Sequence, residues 1–160
     1  MKDSQRSRVY AWERKFYSMK RNKDFTTLTS IQHFLDGVMD DIGLDAKIEV
    51  VSSRKLNSNW AWAKTYEGKI VLPGGWARTM GPALHELSHH IVYHNMEKPH
   101  AVTLAWHGPE FVSVFTALMH TYMGNSLDVM LKHMKTHKVK HDADILEEYL
   151  RLMPTKPCLT

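Results

Sequence analysis

The stretch "ALHELSHHIVYH", residues 83–94, decides how this chain is read. From Pro82 onward the hydrophobic period is helical, and Pro82 suits a first turn. The spacing predicts a helix running to about Asn95. Four histidines lie on it, and two pairs, His85/His89 and His90/His94, are spaced i,i+4. Residues at i and i+4 share one helix face a turn apart, so two imidazoles so placed can reach one ion.

His85-Glu86-Leu87-Ser88-His89 adds an acid to one of these pairs. Glu86 is rotated about 100° from His85 around the axis. It therefore points beside an ion held by the pair, where a water on that ion would sit. Zinc lowers the pKa of such a water towards about 7, and a neighbouring carboxylate can take its proton. With eleven histidines in the chain, chance alone supplies roughly 0.04 matches to H-E-x-x-H. The pairs His90/His94, His133/His137 and His137/His141 lack the glutamate. They read as surface or packing residues, and they show how cheaply His pairs arise here.

A catalytic zinc takes a third protein ligand and keeps a fourth position open. The candidate is His107 in "HGPEF", residues 107–111, just before a helix that Pro109 opens. Glu110 competes, because two-His, one-Glu zinc sites exist. Its alternative role is to favour the amino end of that helix. His100, in the intervening loop, is a weaker third candidate.

Outward from this core, Val9, Trp12, Phe16 and Met19 mark an amphipathic first helix over about 6–20. A second helix carries the stripe Ile31, Phe34, Leu35, Val38 and Ile42, capped by Thr26 or Thr29 and stopped at Gly43. "AKIEVVSS" reads as a strand. "NWAWAKTYEGKIVLP" alternates through Trp60, Trp62, Lys64 and Tyr66, turns at Glu67-Gly68 and continues as Ile70-Val71-Leu72, which is a hairpin pattern. Trp60 and Trp62 read as sheet-face or core packing. Helices follow over about 109–123, 126–137 and 142–152. The fold class is α+β, one domain over 1–153, with a frayed tail at 154–160.

Composition is that of an ordinary globular chain, and no run of about 18 apolar residues suggests a membrane span. The amino terminus lacks the apolar core of a secretory signal, and Cys158 is the lone cysteine, so a cytoplasmic location is expected. A zinc ribbon of four cysteines is excluded. Residues 1–24 hold eight Lys/Arg against Asp3, Glu13 and Asp24. Such a basic arm is a possible nucleic-acid footprint or simply a solvated helix face.

"HELSH" followed 18 residues later by "HGPEF" resembles the core of the SprT-like (Spartan-type) zinc metalloproteases. "DSQRSRVYAWE" together with this core also resembles a group of small bacterial and phage metallohydrolases. The specific likeness covers about residues 69–111. It implies that His85, His89 and His107 bind one zinc per chain, that Glu86 is the general base, and that Phe111 packs. It also implies a zincin-like fold: a small, mainly antiparallel sheet against the active-site helix, with further helices at both ends. On this reading "GKIVLP" is the edge strand beside the cleft, open to an extended peptide.

The expected activity is zinc-dependent hydrolysis of a protein or peptide inside the cell. A transition-state donor would come from His90, Tyr93, Arg78, His120 or Tyr122, with His90 placed first because it is i+4 from Glu86. The alternative is a non-catalytic, zinc-stabilised binding protein that contacts nucleic acid through the basic arm.

Overall fold

The computed structural model describes residues 3–17, 24–53, 61–95 and 105–155. Met19, Trp60, His100, Cys158 and most of the tail lie outside the described residues. Six α-helices and three strands are present among them, an α+β arrangement. They are α1 (Arg6–Tyr17), α2 (Leu28–Asp41), β1 (Glu49–Ser52), β2 (Trp62–Lys64), β3 (Lys69–Leu72), α3 (Met80–Asn95), α4 (Pro109–Met123), α5 (Leu127–His137) and α6 (Ala143–Leu152). None of the described helices is long and apolar enough to cross a membrane.

The sheet is mixed rather than mainly antiparallel. Its order is β1-β3-β2, with β1 parallel and β2 antiparallel to β3. β3 is therefore the centre and β2 the edge, which corrects the expectation for "GKIVLP". The residue types explain it. Ile70, Val71 and Leu72 form a continuous apolar run and are buried, as a central strand requires. Trp62, Ala63 and Lys64 alternate between exposed and half-buried, as suits an edge. The two strands are joined by a 3-10 turn over Thr65–Glu67 and by Gly68 at φ 60°. A Cβ at Gly68 would lie 2.7 Å from the Lys47 carbonyl oxygen, so only glycine fits both the conformation and the space.

The other edge, along β1, is covered. Gln32 on α2 donates from Nε2 to the Ile48 carbonyl at 2.7 Å and accepts from the Val50 amide at 2.7 Å. Its amide takes the place of a neighbouring strand. The N-cap of α2 is Thr27, one residue after the predicted Thr26 and two before Thr29. Thr27 accepts from the Ser30 amide at 3.0 Å, and Ser30 Oγ accepts from the Thr27 amide at 3.3 Å, a reciprocal box.

α3 is the central element. Every residue from Met80 to Ile91 is buried. Leu84, Leu87 and Ile91 join Phe111, Phe115 and Leu118 of α4 in the core, with Trp12 and Phe16 of α1. α3 packs on α4 and on β2 and β3, α4 packs on α6, and α1 packs on α5. A helix buried all round must find partners for each polar group it carries. Ser88 Oγ donates to the Leu84 carbonyl at 2.7 Å. The remaining polar residues of α3, His85, Glu86, His89 and His90, lead to the site.

Candidate metal centre

His85 and His89 lie one turn apart on the face of α3 that meets α4. His107 enters from the turn before α4. One ring nitrogen from each of the three lies within 4.8 Å of the others, and all three side chains are buried. Among the described residues this is the one such group of three or more. Gly108 is the N-cap of α4, and Pro109 follows at its start. A Cβ on Gly108 would stand 2.6 Å from a Glu110 carboxylate oxygen and 3.1 Å from the Ala105 carbonyl. Glu110 thus folds back over the helix entrance and stays out of the histidine group, as its helix-end role requires.

The rings are held from outside. Glu13 Oε2 lies 2.8 Å from His85 Nδ1, and Asp3 Oδ2 lies 2.6 Å from His107 Nδ1. A carboxylate only accepts, so both Nδ1 atoms carry the proton and donate. In the neutral imidazoles both Nε2 atoms then present lone pairs, and these stand 3.3 Å apart. Two bare lone pairs so placed repel, and a cation between them resolves the conflict. Two nitrogens bound tetrahedrally at about 2.0–2.1 Å are separated by ~3.3 Å. The donor set and its spacing therefore fit one metal ion, held by His85, His89 and His107. His89 is fixed by rings instead: it stacks on Phe111 at 4.4 Å and meets the edge of Trp106 at 5.5 Å.

The electrostatics agree with this layout. Burial lowers His89 well below the usual imidazole range, and the neighbouring His85 and His107 push it further down. Burial and His85 likewise lower His107, against the pull of Asp3. At His85 burial is the largest single influence and opposes the charge, but the carboxylates of Glu13 and Glu86 together outweigh it and the net shift is upward. Without an ion, a further proton taken up by the cluster goes first to His85.

Glu86 is buried and lies outside the ligand group. Burial raises its carboxyl to about 7; His85 and a hydrogen bond from the Ala63 amide pull it down, while Glu13 pushes it up. It lines a cleft of about 340 Å³ together with the three histidines, Asp3, Arg6, Tyr10, Ala61, Trp62, Ala63 and Trp106. A second, adjoining cavity of about 350 Å³ lies between α1 and Glu86 and is walled by Tyr10, Tyr17, Ala61, Trp76 and Pro82. Trp62 is thus a partly exposed cleft wall, not core.

None of the five donor candidates from the sequence lines either cavity. His90 is fully buried, and its Nε2 meets the Lys69 carbonyl on β3 at 3.1 Å. It points to the sheet because α3 is covered there by β3. Tyr93 packs on Tyr66, the Tyr122 hydroxyl donates to Asp41, and His120 Nδ1 bonds to the Asn125 carbonyl. Arg78 ends the 3-10 turn before α3, where its carbonyl accepts from the Phe25 amide. His94 is exposed on the far end of α3.

Asp3, Glu13 and Tyr10 join the site although no motif in the sequence marks them. Tyr10 stacks on His85 with centroids 5.8 Å apart, meets His107 edge-on at 5.0 Å, and has the Arg6 guanidinium over its ring at 5.5 Å. One signal was available: Glu13 falls among Val9, Trp12 and Phe16 on the predicted apolar stripe of α1. Comparison of the chain with family models, with curated proteins and with solved structures found no match.

Proposed function

We propose that this protein is a zinc-dependent hydrolase of zincin-like architecture, most simply a metallopeptidase of the SprT-like kind. The carrying observation is the position of Glu86: a buried carboxyl in the wall of the cleft that holds three histidines, yet not among the ligands. A structural zinc would be closed by four protein groups, whereas the three found among the described residues leave one position for reactants. A zinc ion held there by His85, His89 and His107 would supply Lewis acidity and lower the pKa of a water in the cleft. Glu86 takes a proton from that water at its carboxylate and passes it to the leaving nitrogen of the substrate. A carboxyl held near 7 by burial is matched to both transfers, and a cation beside it draws its pKa down towards the basic form.

Tyr10 faces the same cleft and offers a hydroxyl to the oxyanion that develops on the scissile carbonyl. Trp106 shields the histidines from one side. Among the described residues no strand pairs with the outer edge of β2, next to Glu86, and that edge suits an extended peptide added as a further strand, since the opposite edge is already covered by Gln32.

The test joins metal content to turnover. Zinc per chain is measured in protein never exposed to chelator, and wild type is compared with Glu86→Gln on a panel of unfolded proteins. One zinc per chain, with turnover lost and zinc kept in the variant, supports the reading. One zinc and no turnover in either form favours the binding-protein alternative, in which the basic face of α1 contacts nucleic acid. Absence of zinc and of any other divalent metal ends both.

A further inference from the structure

The amino-terminal segment reads from sequence as a basic arm, yet its inward face serves the histidines. Glu13 sits at mid-helix on α1, 5 % exposed, among apolar neighbours. Burying a carboxylate there carries a large desolvation penalty before pairing, and an apolar residue of similar volume would serve the core better. Its partners account for it. One oxygen accepts from His85 Nδ1, and Tyr17 also hydrogen-bonds to the carboxylate. Asp3, just before α1, does the same for His107, although its Oδ1 is buried with no partner. Between them Gln5 donates to the His107 carbonyl at 2.8 Å and to the Lys140 carbonyl at 3.1 Å, and accepts from the Lys140 amide at 2.9 Å.

We infer that residues 3–13 form the outer shell of the metal centre, with Asp3 and Glu13 as positioning residues. Each fixes the Nδ1–H tautomer of one ligand, aims its Nε2 at the ion and raises its donor strength. Gln5 anchors the segment so that Asp3 stays in reach. The two carboxylates also offset the charge of a divalent ion that three neutral imidazoles leave uncompensated. Because metal and segment contact the same two imidazoles from opposite sides, each strengthens the hold of the other. This inference rests on the metal-binding part of the proposed function and is independent of hydrolysis.

The test uses full-length protein and zinc chloride, with affinity read by competition against a chromophoric chelator. Asp3→Ala is the main variant, because Asp3 precedes α1 and is partly exposed. Glu13→Gln keeps an acceptor and removes the charge. Each variant should weaken zinc about 10- to 100-fold, with metal-free melting temperatures near wild type for Asp3→Ala. Nitrogen-15 spectra of the imidazoles provide a second readout. In metal-free Asp3→Ala, His107 should lose its fixed Nδ1–H tautomer while His85 keeps it. Zinc affinities within twofold of wild type, or an unchanged His107 spectrum, overturn the inference and leave the hydrolase reading standing. Weaker zinc in the variants, with a wild type that hydrolyses nothing, supports the inference and sinks the peptidase. A wild type that binds no zinc sinks both.

Discussion

Removing His107 should uncouple metal from stability. His89 and His107 are 18 residues apart, and the α3 pair meets His107 only through the packing of α3 on α4. An unfolded chain must close that loop to use all three ligands. The cost is about 2.6 kcal/mol from loop-closure entropy alone, before constant terms. Helix formation, needed to bring His85 and His89 together, adds to it. Metal therefore selects the folded state. At a free concentration a thousandfold above Kd, the stabilisation is about 4 kcal/mol. For a chain of this length each kcal/mol moves Tm by about 2–4 °C, so wild type should melt some 8–16 °C higher with zinc than with chelator. In His107→Ala two ligands remain and the rise should shrink to a few degrees. Its metal-free Tm should fall, because a buried ring and the Asp3 hydrogen bond are lost, so each protein is compared with its own metal-free form. Differential scanning calorimetry on both proteins, with and without zinc, provides the four values. An equal zinc-induced rise in His107→Ala would refute the three-ligand assignment, and no rise in wild type would refute the metal site.

Tyr10→Phe should lower kcat about 10²- to 10³-fold with zinc content unchanged, if its hydroxyl meets the oxyanion; steady-state kinetics with metal analysis checks it, and a purely KM effect would assign Tyr10 to substrate packing. Zinc should be released on acidification, because protons compete for the imidazoles. His85, held above the usual imidazole range by Glu13, binds the competing proton first, so Glu13→Gln should change the pH profile of retention as well as its midpoint; an identical profile would count against that order. Phe115 is fully buried between Trp12, Phe111 and His85. Phe115→Ala should cost about 3–5 kcal/mol in chemical denaturation, and a loss under 1 kcal/mol would mean that the core there collapses freely. Asp142 caps α6 by accepting from the amides of Asp144 and Ile145 at 3.0 and 3.1 Å. Asp142→Ala should cost about 1 kcal/mol, read in the same denaturant series.

Local pattern carried much of this molecule. Period and punctuation placed α3, α4 and the flanking helices to within a few residues, because helix caps and stripes are local. The i,i+4 spacing of His85 and His89 and the offset of Glu86 are properties of one helix, so the sequence alone determined their relative placement. That His107 reaches them, while Glu110 does not, depends on how α4 leans on α3. The apolar run Ile70-Val71-Leu72 was expected at the sheet edge and lies at its centre, because its parallel partner β1 is about twenty residues upstream and no local rule selects it. His90 was misjudged for a related reason: helical spacing says which residues share a side, not which side β3 covers. Asp3 and Glu13 were legible only as charges in a basic segment. Their place against His107 and His85 comes from contacts spanning 104 and 72 residues, which only the tertiary structure decides. Periodicity follows from the geometry of one element, whereas the outer shell of a site is assembled by the burial of several elements at once.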